Sequence, residues 1–422
     1  MNTTLTTTWQ RLAFATTLGV LLSVAYSVRA GTLAAQVTVT GTDNATTLAT
    51  VLRQTPGAPL AVATSPGNLG DLTLLVGGNP LAQASGVIIP VPNQFQYAAV
   101  GDRNMIEVPG ELSSTTPSGF PNGMWLSTTK VSGAGAEANF NFSMVFFPFG
   151  GAWTAGHVRG TDGALLAGNG AGVTIAPQFD ATFGNGHYKL SIAGKDSRTD
   201  GMLFAVGAEN ASSGNVVPVG VLPDGSGWDV RINDQGINFP ATEQADWSFA
   251  YVDYSSWNLV AAGRLSLAPT DNSTTPPTSV DVLTGKGTFT AGLVDIGNST
   301  TSAAIIPPSA GPDGLLDAGR ILITIPGKDD TTGILMVGVS KYASTTTASG
   351  ADDNMLTYEY NAALGGFLVE TYDLTGANLQ NSDIYFAYFD YANPIMVPEP
   401  TSLSLGALAA LAFSLARRRA RQ

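Results

Sequence analysis

The chain has 422 residues, of which 44% are apolar and 12% charged, with no cysteine and a formal net charge of −13. Without cysteine there are no disulfides and no thiol chemistry, so a body of this length is held together by packing alone. Nineteen basic residues stand against 32 acidic ones, and Arg11, Arg29, Arg417, Arg418, Arg419 and Arg421 lie in the two terminal segments. The body between them is therefore strongly acidic and repels nucleic acid and anionic lipid headgroups.

At the N-terminus Arg11 precedes an apolar run, Leu12 to Ala25, and Val28-Arg29-Ala30 supplies the residue types that signal peptidase reads. The segment 1–30 is expected to be a signal peptide cleaved after Ala30, which makes the mature chain extracytoplasmic. Beyond it, 49 Gly and 24 Pro, with many Thr, Ser and Asn, cut the chain into short β-branched and aromatic runs. That pattern predicts an all-β sandwich or barrel, with no amphipathic helix between the terminal segments. Residues 31–119 carry the runs Leu72 to Val76 and Gly86 to Pro90. They are expected to form β structure packed on the β domain that begins near residue 120, and a decayed partial copy of that domain is one option for them.

From that point on, blocks of sequence recur. Gly186-His187-Tyr188-Lys189-Leu190-Ser191-Ile192-Ala193-Gly194-Lys195-Asp196 matches Gly319-Arg320-Ile321-Leu322-Ile323-Thr324-Ile325-Pro326-Gly327-Lys328-Asp329. Asp200 to Gly207 matches Thr332 to Gly338, and Phe249-Ala250-Tyr251-Val252-Asp253-Tyr254 matches Phe386-Ala387-Tyr388-Phe389-Asp390-Tyr391. A fourth pair sets Trp153 to Val158 against Phe289 to Val294. The common order predicts two tandem homologous β-sandwich domains, at 120–264 and 265–395. Within a unit Tyr188, Leu190 and Ile192 alternate with wetter residues, as in a half-buried strand, and Gly194 to Gly201 reads as a hairpin connection. The strand order, ending on an aromatic strand, resembles the jelly-roll heads of phage tail fibres and of complement-type globular domains, a likeness that implies trimers. The polar, proline-rich stretch Pro269 to Ser279 suits a domain boundary or a long exposed loop.

Chemistry-bearing residues are scattered. His157 and His187 have no metal spacing around them and align with Leu293 and Arg320, so they read as strand or turn histidines. Asp196, Asp200, Asp329 and Asp330 cluster at equivalent hairpin tips, where oxygen ligands suit Ca²⁺, though tight turns need the same residues. Asp224, Asp229 and Asp234, and Asp313 with Asp317, are weaker cases. A glycosidase would use Asp253 and Asp390, but no second carboxylate accompanies either, and an Asp at a strand end binding backbone N–H groups explains both. Trp125, Trp153, Trp228, Trp247 and Trp257 serve equally as a sugar-stacking platform or as core. No catalytic residue, metal ligand or cofactor is assigned, with Ca²⁺ the one ion held open.

The C-terminal segment 397–422 holds Pro398-Glu399-Pro400, an apolar run from Ser402 to Ala416, and Arg417-Arg418-Arg419-Ala420-Arg421. The prolines disfavour helix, the Leu/Ala run favours it, and the arginines hold its end in the cytoplasm. These parts, in this order, resemble the PEP-CTERM sorting signal. The resemblance implies a short transmembrane helix, cleavage and transfer by an exosortase at the tripeptide, and association with extracellular polysaccharide. The chain is thus expected to be an exported, non-enzymatic surface or matrix protein. Its expected partners are signal peptidase and exosortase and, by the resemblance, exopolysaccharide. A carbohydrate-binding or carbohydrate-active β-sandwich is the alternative.

Overall fold

The computed structural model describes residues 32–40, 48–57, 60–64, 72–76, 79–80, 83–93, 104–108, 124–130, 140–149, 153–178, 185–208, 215–234, 244–268, 277–296, 317–340, 354–372 and 379–395. Among them the architecture is all-β, with several antiparallel sheets and one short 3-10 turn at Gln83–Ser85. No helix among the described residues is long and apolar enough to cross a membrane, and the expected helix at 402–416 lies outside them.

The first group of strands is β1 (Leu33–Thr40), β2 (Leu48–Gln54), β3 (Leu60–Thr64), β4 (Leu72–Val76), β5 (Asn79–Pro80), β6 (Gly86–Pro92), β7 (Asn104–Glu107), β8 (Trp125–Lys130) and β9 (Phe140–Pro148). They form the sheets β2-β1-β9-β6 and β3-β4-β8-β7, with β5 beside β4. The second group is β10 (Ala155–Val158), β11 (Leu165–Asn169), β12 (Val173–Pro177), β13 (His187–Ile192), β14 (Gly201–Gly207), β15 (Asn215–Val216), β16 (Val219–Val221), β17 (Trp228–Arg231), β18 (Asn233–Asp234) and β19 (Trp247–Asp253). Its sheets are β11-β10-β19-β14 and β12-β13-β17-β16, with β15 and β18 as a small pair. The third group is β20 (Ala261–Ala268), β21 (Ser279–Gly287), β22 (Thr290–Leu293), β23 (Arg320–Thr324), β24 (Gly333–Val339), β25 (Met355–Asn361), β26 (Gly366–Tyr372) and β27 (Ile384–Asp390). Its sheets are β21-β20-β27-β24 and β22-β23-β26-β25.

The three groups share one plan, strand for strand, so the chain holds three copies where the sequence blocks predicted two. The last strands align through their pairing. Gly86 lies opposite Pro148, Gly201 opposite Asp253 and Gly333 opposite Asp390. This superposes Phe142-Ser143-Met144-Val145-Phe146-Phe147-Pro148 on Trp247 to Asp253 and on Ile384 to Asp390. The glycine at each strand start is enforced by close approach. A Cβ there would come within 2.4 Å of Phe147 O, 2.3 Å of Val252 O and 2.3 Å of Phe389 O, respectively. Each copy also carries a β-bulge at one place in its first hairpin, with Leu52, Leu166 and Leu283 as the extra residue.

Strand pairing divides the chain differently from the sequence blocks. β8 and β9, inside 120–264, pair with β4 and with β1 and β6, so they complete the first sandwich. β20 spans the 264/265 division and opens the third sandwich. The segment 269–279 joins β20 to β21 within that sandwich; Pro, Asn and Ser serve a hairpin connection as well as a linker. The Trp153 and Phe289 blocks are not equivalent, because β10 pairs with β19 whereas β22 pairs with β23. Thr-Ala-Gly is too short a string to fix a strand's partner.

The core is aromatic and bridges the two sheets of a copy, with Tyr251 edge-on to Trp228 at 5.3 Å and Tyr388 against Phe367 at 5.8 Å. It is continuous through all three copies. The copies form a ring in which, at two of the three junctions, an edge strand meets the first and last strands of the next copy. β6 packs on β10 and β19, and β24 on β1 and β9. At the remaining junction Phe204 of β14 meets Tyr385 of β27 at 4.9 Å. Phe147 and Phe389 close the ring edge to face at 5.8 Å. Thr32 donates its backbone N–H to Ile395 O at 3.1 Å, so the two ends of the described body meet.

Candidate functional site

The strand-end aspartates are structural caps with lysine partners. Asp253 accepts bonds from Ser255 N and Oγ and pairs with Lys195 Nζ at 2.5 Å. Asp390 accepts from the N–H groups of Ala392 and Asn393 and pairs with Lys328 Nζ at 2.5 Å. Burial pushes each carboxyl up, but the lysine and the hydrogen bonds outweigh it, so both titrate below the ordinary carboxylate value. The groups that hold each carboxylate are thus a lysine and donors of the adjoining turn, the arrangement of a cap. The sequence reading assigns the lysines no part in this, although both stand in the repeated Gly-Lys-Asp string, which is the available signal. Phe249, Tyr251, Phe386 and Tyr388 are all buried.

The pseudo-threefold junction is where the copies contribute jointly. Strands β6, β14 and β24 converge there and their C-terminal ends line a cavity of about 110 Å³, together with Val217, Met355 and Tyr385. Its walls are largely apolar. Ligand sites for drug-sized molecules run from roughly 300 to 1,000 Å³, so this volume matches a gap left by three unequal copies. At one superposed position Ser143 and Ser248 are matched in the third copy by the much larger Tyr385, which lines the cavity. Nearby, His157 Nδ1 meets Ser248 Oγ at 2.8 Å and its Nε2 meets Gly86 O at 3.1 Å across the junction. Ser248 is wholly buried and His157 nearly so. A nucleophile needs access to substrate, and this Ser–His pair has none; it bonds the second copy to the first.

The third copy buries a charged cluster. Arg320 lies 3.0 Å from Asp317 Oδ2 and 2.8 Å from Glu370 Oε1, all three almost fully enclosed. Burial raises the Asp317 pKa above the ordinary value; Arg320, which burial alone would lower, is held up by its two carboxylate neighbours. The matching position in the second copy, His187, bonds Asp229 through Nε2. The alignment of His187 with Arg320 marks the place in the sequence but not the acidic partners, most of which come from another strand.

Most of the loop aspartates have local partners. Asp196 is gripped by the Arg198 guanidinium at 2.6 Å, which lowers its pKa to about 2. Asp200 accepts from Asp196 N, Asp224 from Ser226 N, and Asp329 from Thr331 and Thr332. Asp330 pairs with Arg53 of the first copy at 2.8 Å. Among the tryptophans, Trp153, Trp228 and Trp247 are core, whereas Trp257 is 51% exposed, beside Asn258 at φ +61°. The side chains of Trp125 and Asp234, and Asp313 altogether, lie outside the described residues, as do Ala30, Pro398, Glu399, Pro400, Arg417, Arg418 and Arg419. Comparison with protein-family models, with curated proteins and with solved structures finds no match to this chain.

Proposed function

We propose that the chain is an exported, exosortase-sorted bacterial surface or extracellular-matrix protein without enzymatic activity, associated with exopolysaccharide. The observation that carries this reading is where the reactive residue types are spent. The strand-end aspartates cap, the histidines bond within or between copies, and the duplicated aromatics fill the core. Mass spectrometry of the surface form tests it, with an expected C-terminus near Pro400. Glu399→Ala is expected to leave export intact and to hold the protein in the membrane. An intact Arg421-Gln422 end on the surface form would overturn the sorting reading.

A second reading, carbohydrate binding, is favoured by Trp257 alone, whose exposed indole offers a stacking face. Polysaccharide pull-down with Trp257→Ala decides it. Loss of binding at an unchanged melting temperature establishes that reading, and unchanged binding removes it.

A further inference from the structure

Seven large apolar side chains are exposed among the described residues, and five of them, Leu48, Leu52, Leu165, Val282 and Leu283, lie on β2, β11 and β21. These are equivalent strands. Each is the edge of its sheet opposite the edge used at the threefold junction, so its outer ladder is unpaired among the described residues. Edge strands of monomeric proteins are usually guarded by lysines, prolines, inward charges or bulges, and of these devices all three edges share only the bulge. Here β11 has no charged residue, β2 has Arg53 alone, and β21 has one of each sign, Asp281 and Lys286. On a chain of net charge −13, these edges are where two copies approach without like-charge repulsion.

The structure points to a self-association surface. We propose that β21 docks on β21 of a second copy of this chain, antiparallel and edge to edge, with β2 and β11 as weaker sites of the same kind. The register is set by the bulge. Thr284 lies opposite Arg264 and Val282 opposite Leu265, which leaves Leu283 extra. Asp281, Thr284 and Lys286 therefore share one face of the sheet, opposite Ser266, Arg264 and Ala262. A two-fold axis through Thr284 sets Asp281 of each copy opposite Lys286 of the other and places both Leu283 side chains at the centre. Such an isologous contact is closed and self-complementary. Val282 and Leu283, 53% and 49% exposed, supply the apolar area that the contact buries. Lys286 also donates to Ser256 O at 2.9 Å.

The proposal is independent of export and sorting. It is tested by sedimentation velocity of the full-length chain over a concentration series. The wild type is expected to dimerise. Asp281→Lys and Lys286→Asp should each weaken the dimer by about tenfold or more, since each sets like charges opposite one another. The double variant Asp281→Lys/Lys286→Asp should restore it, because the swap preserves both pairs. Leu283→Asp should abolish it at an unchanged melting temperature. A chain that stays monomeric, single reversals without effect, or a double variant as weak as the singles would each overturn the proposal. Association through another surface, the C-terminal segment included, would not respond to the swap.

Discussion

The first copy and the other two reach the same topology with different chemistry at the end of the last strand. The second and third clamp it with Lys195–Asp253 and Lys328–Asp390; the first has Pro148 at the superposed position, which can make no such pair. What all three keep is the starting glycine opposite that position, the alternation of large apolar residues along the last strand, and the bulge in the first hairpin. The ion pair therefore adds stability to a sandwich that close packing and chain path already specify.

That comparison is most open to attack in the core. Phe249→Ala and Phe386→Ala should each cost about 3–5 kcal/mol in urea melts, and Met144→Ala at the superposed place about 2–5 kcal/mol. A cost near zero at Met144 would mean that the first copy's last strand does not do the same work. Next come the glycines. Gly201→Ala and Gly333→Ala push a methyl group against a carbonyl oxygen of the neighbouring strand and should cost about 1–3 kcal/mol, and Gly86→Ala the same. Equal losses in all three copies sharpen the shared plan; a tolerated Gly86→Ala breaks it.

The clamps should matter less, and unequally. The Asp390 side chain is 4% exposed and that of Asp253 is 19%. Asp390→Asn should cost about 1.5–3 kcal/mol and Asp253→Asn less, as befits charge-assisted bonds of different burial. Thermal melts of the two variants rank them. The smallest effect is in the pH dependence. Both carboxyls titrate below their ordinary value of 3.8 when folded. Their contribution is thus present above that value and lost as the pH falls through the folded one. Lys328→Met should flatten the acid limb of the stability curve more than Lys195→Met, and no substitution at Pro148 to an uncharged residue should alter it.

Much of the β pattern is legible in the sequence because its causes are local. Tyr188, Leu190 and Ile192 alternate as a strand demands, and the Gly-Lys-Asp strings repeat. The first copy is legible only as the option of a decayed partial copy at 31–119, because its identity lies in pairing. Phe142 to Pro148 shares with Trp247 to Asp253 a spacing of large side chains but few letters. Pro90 and Pro92 in β6 look like breaks, yet β6 is an edge strand, where a missing N–H is tolerated. Of the acidic partners of Arg320 and His187, Asp317 lies three residues before Arg320, but Glu370 and Asp229 sit on other strands, where no local spacing reveals them. The strand-end aspartates are legible as caps because that bonding is local; their lysines come into reach only when the hairpin folds back.

A ring of three units on one polypeptide differs from a trimer of separate subunits in its response to dilution. Each junction forms at the effective concentration set by its connecting segment, so lowering the protein concentration cannot take the ring apart. Nor must one substitution be accepted at three junctions at once. At one superposed position the first two copies keep a serine, Ser143 and Ser248, while the third has Tyr385, each with partners of its own.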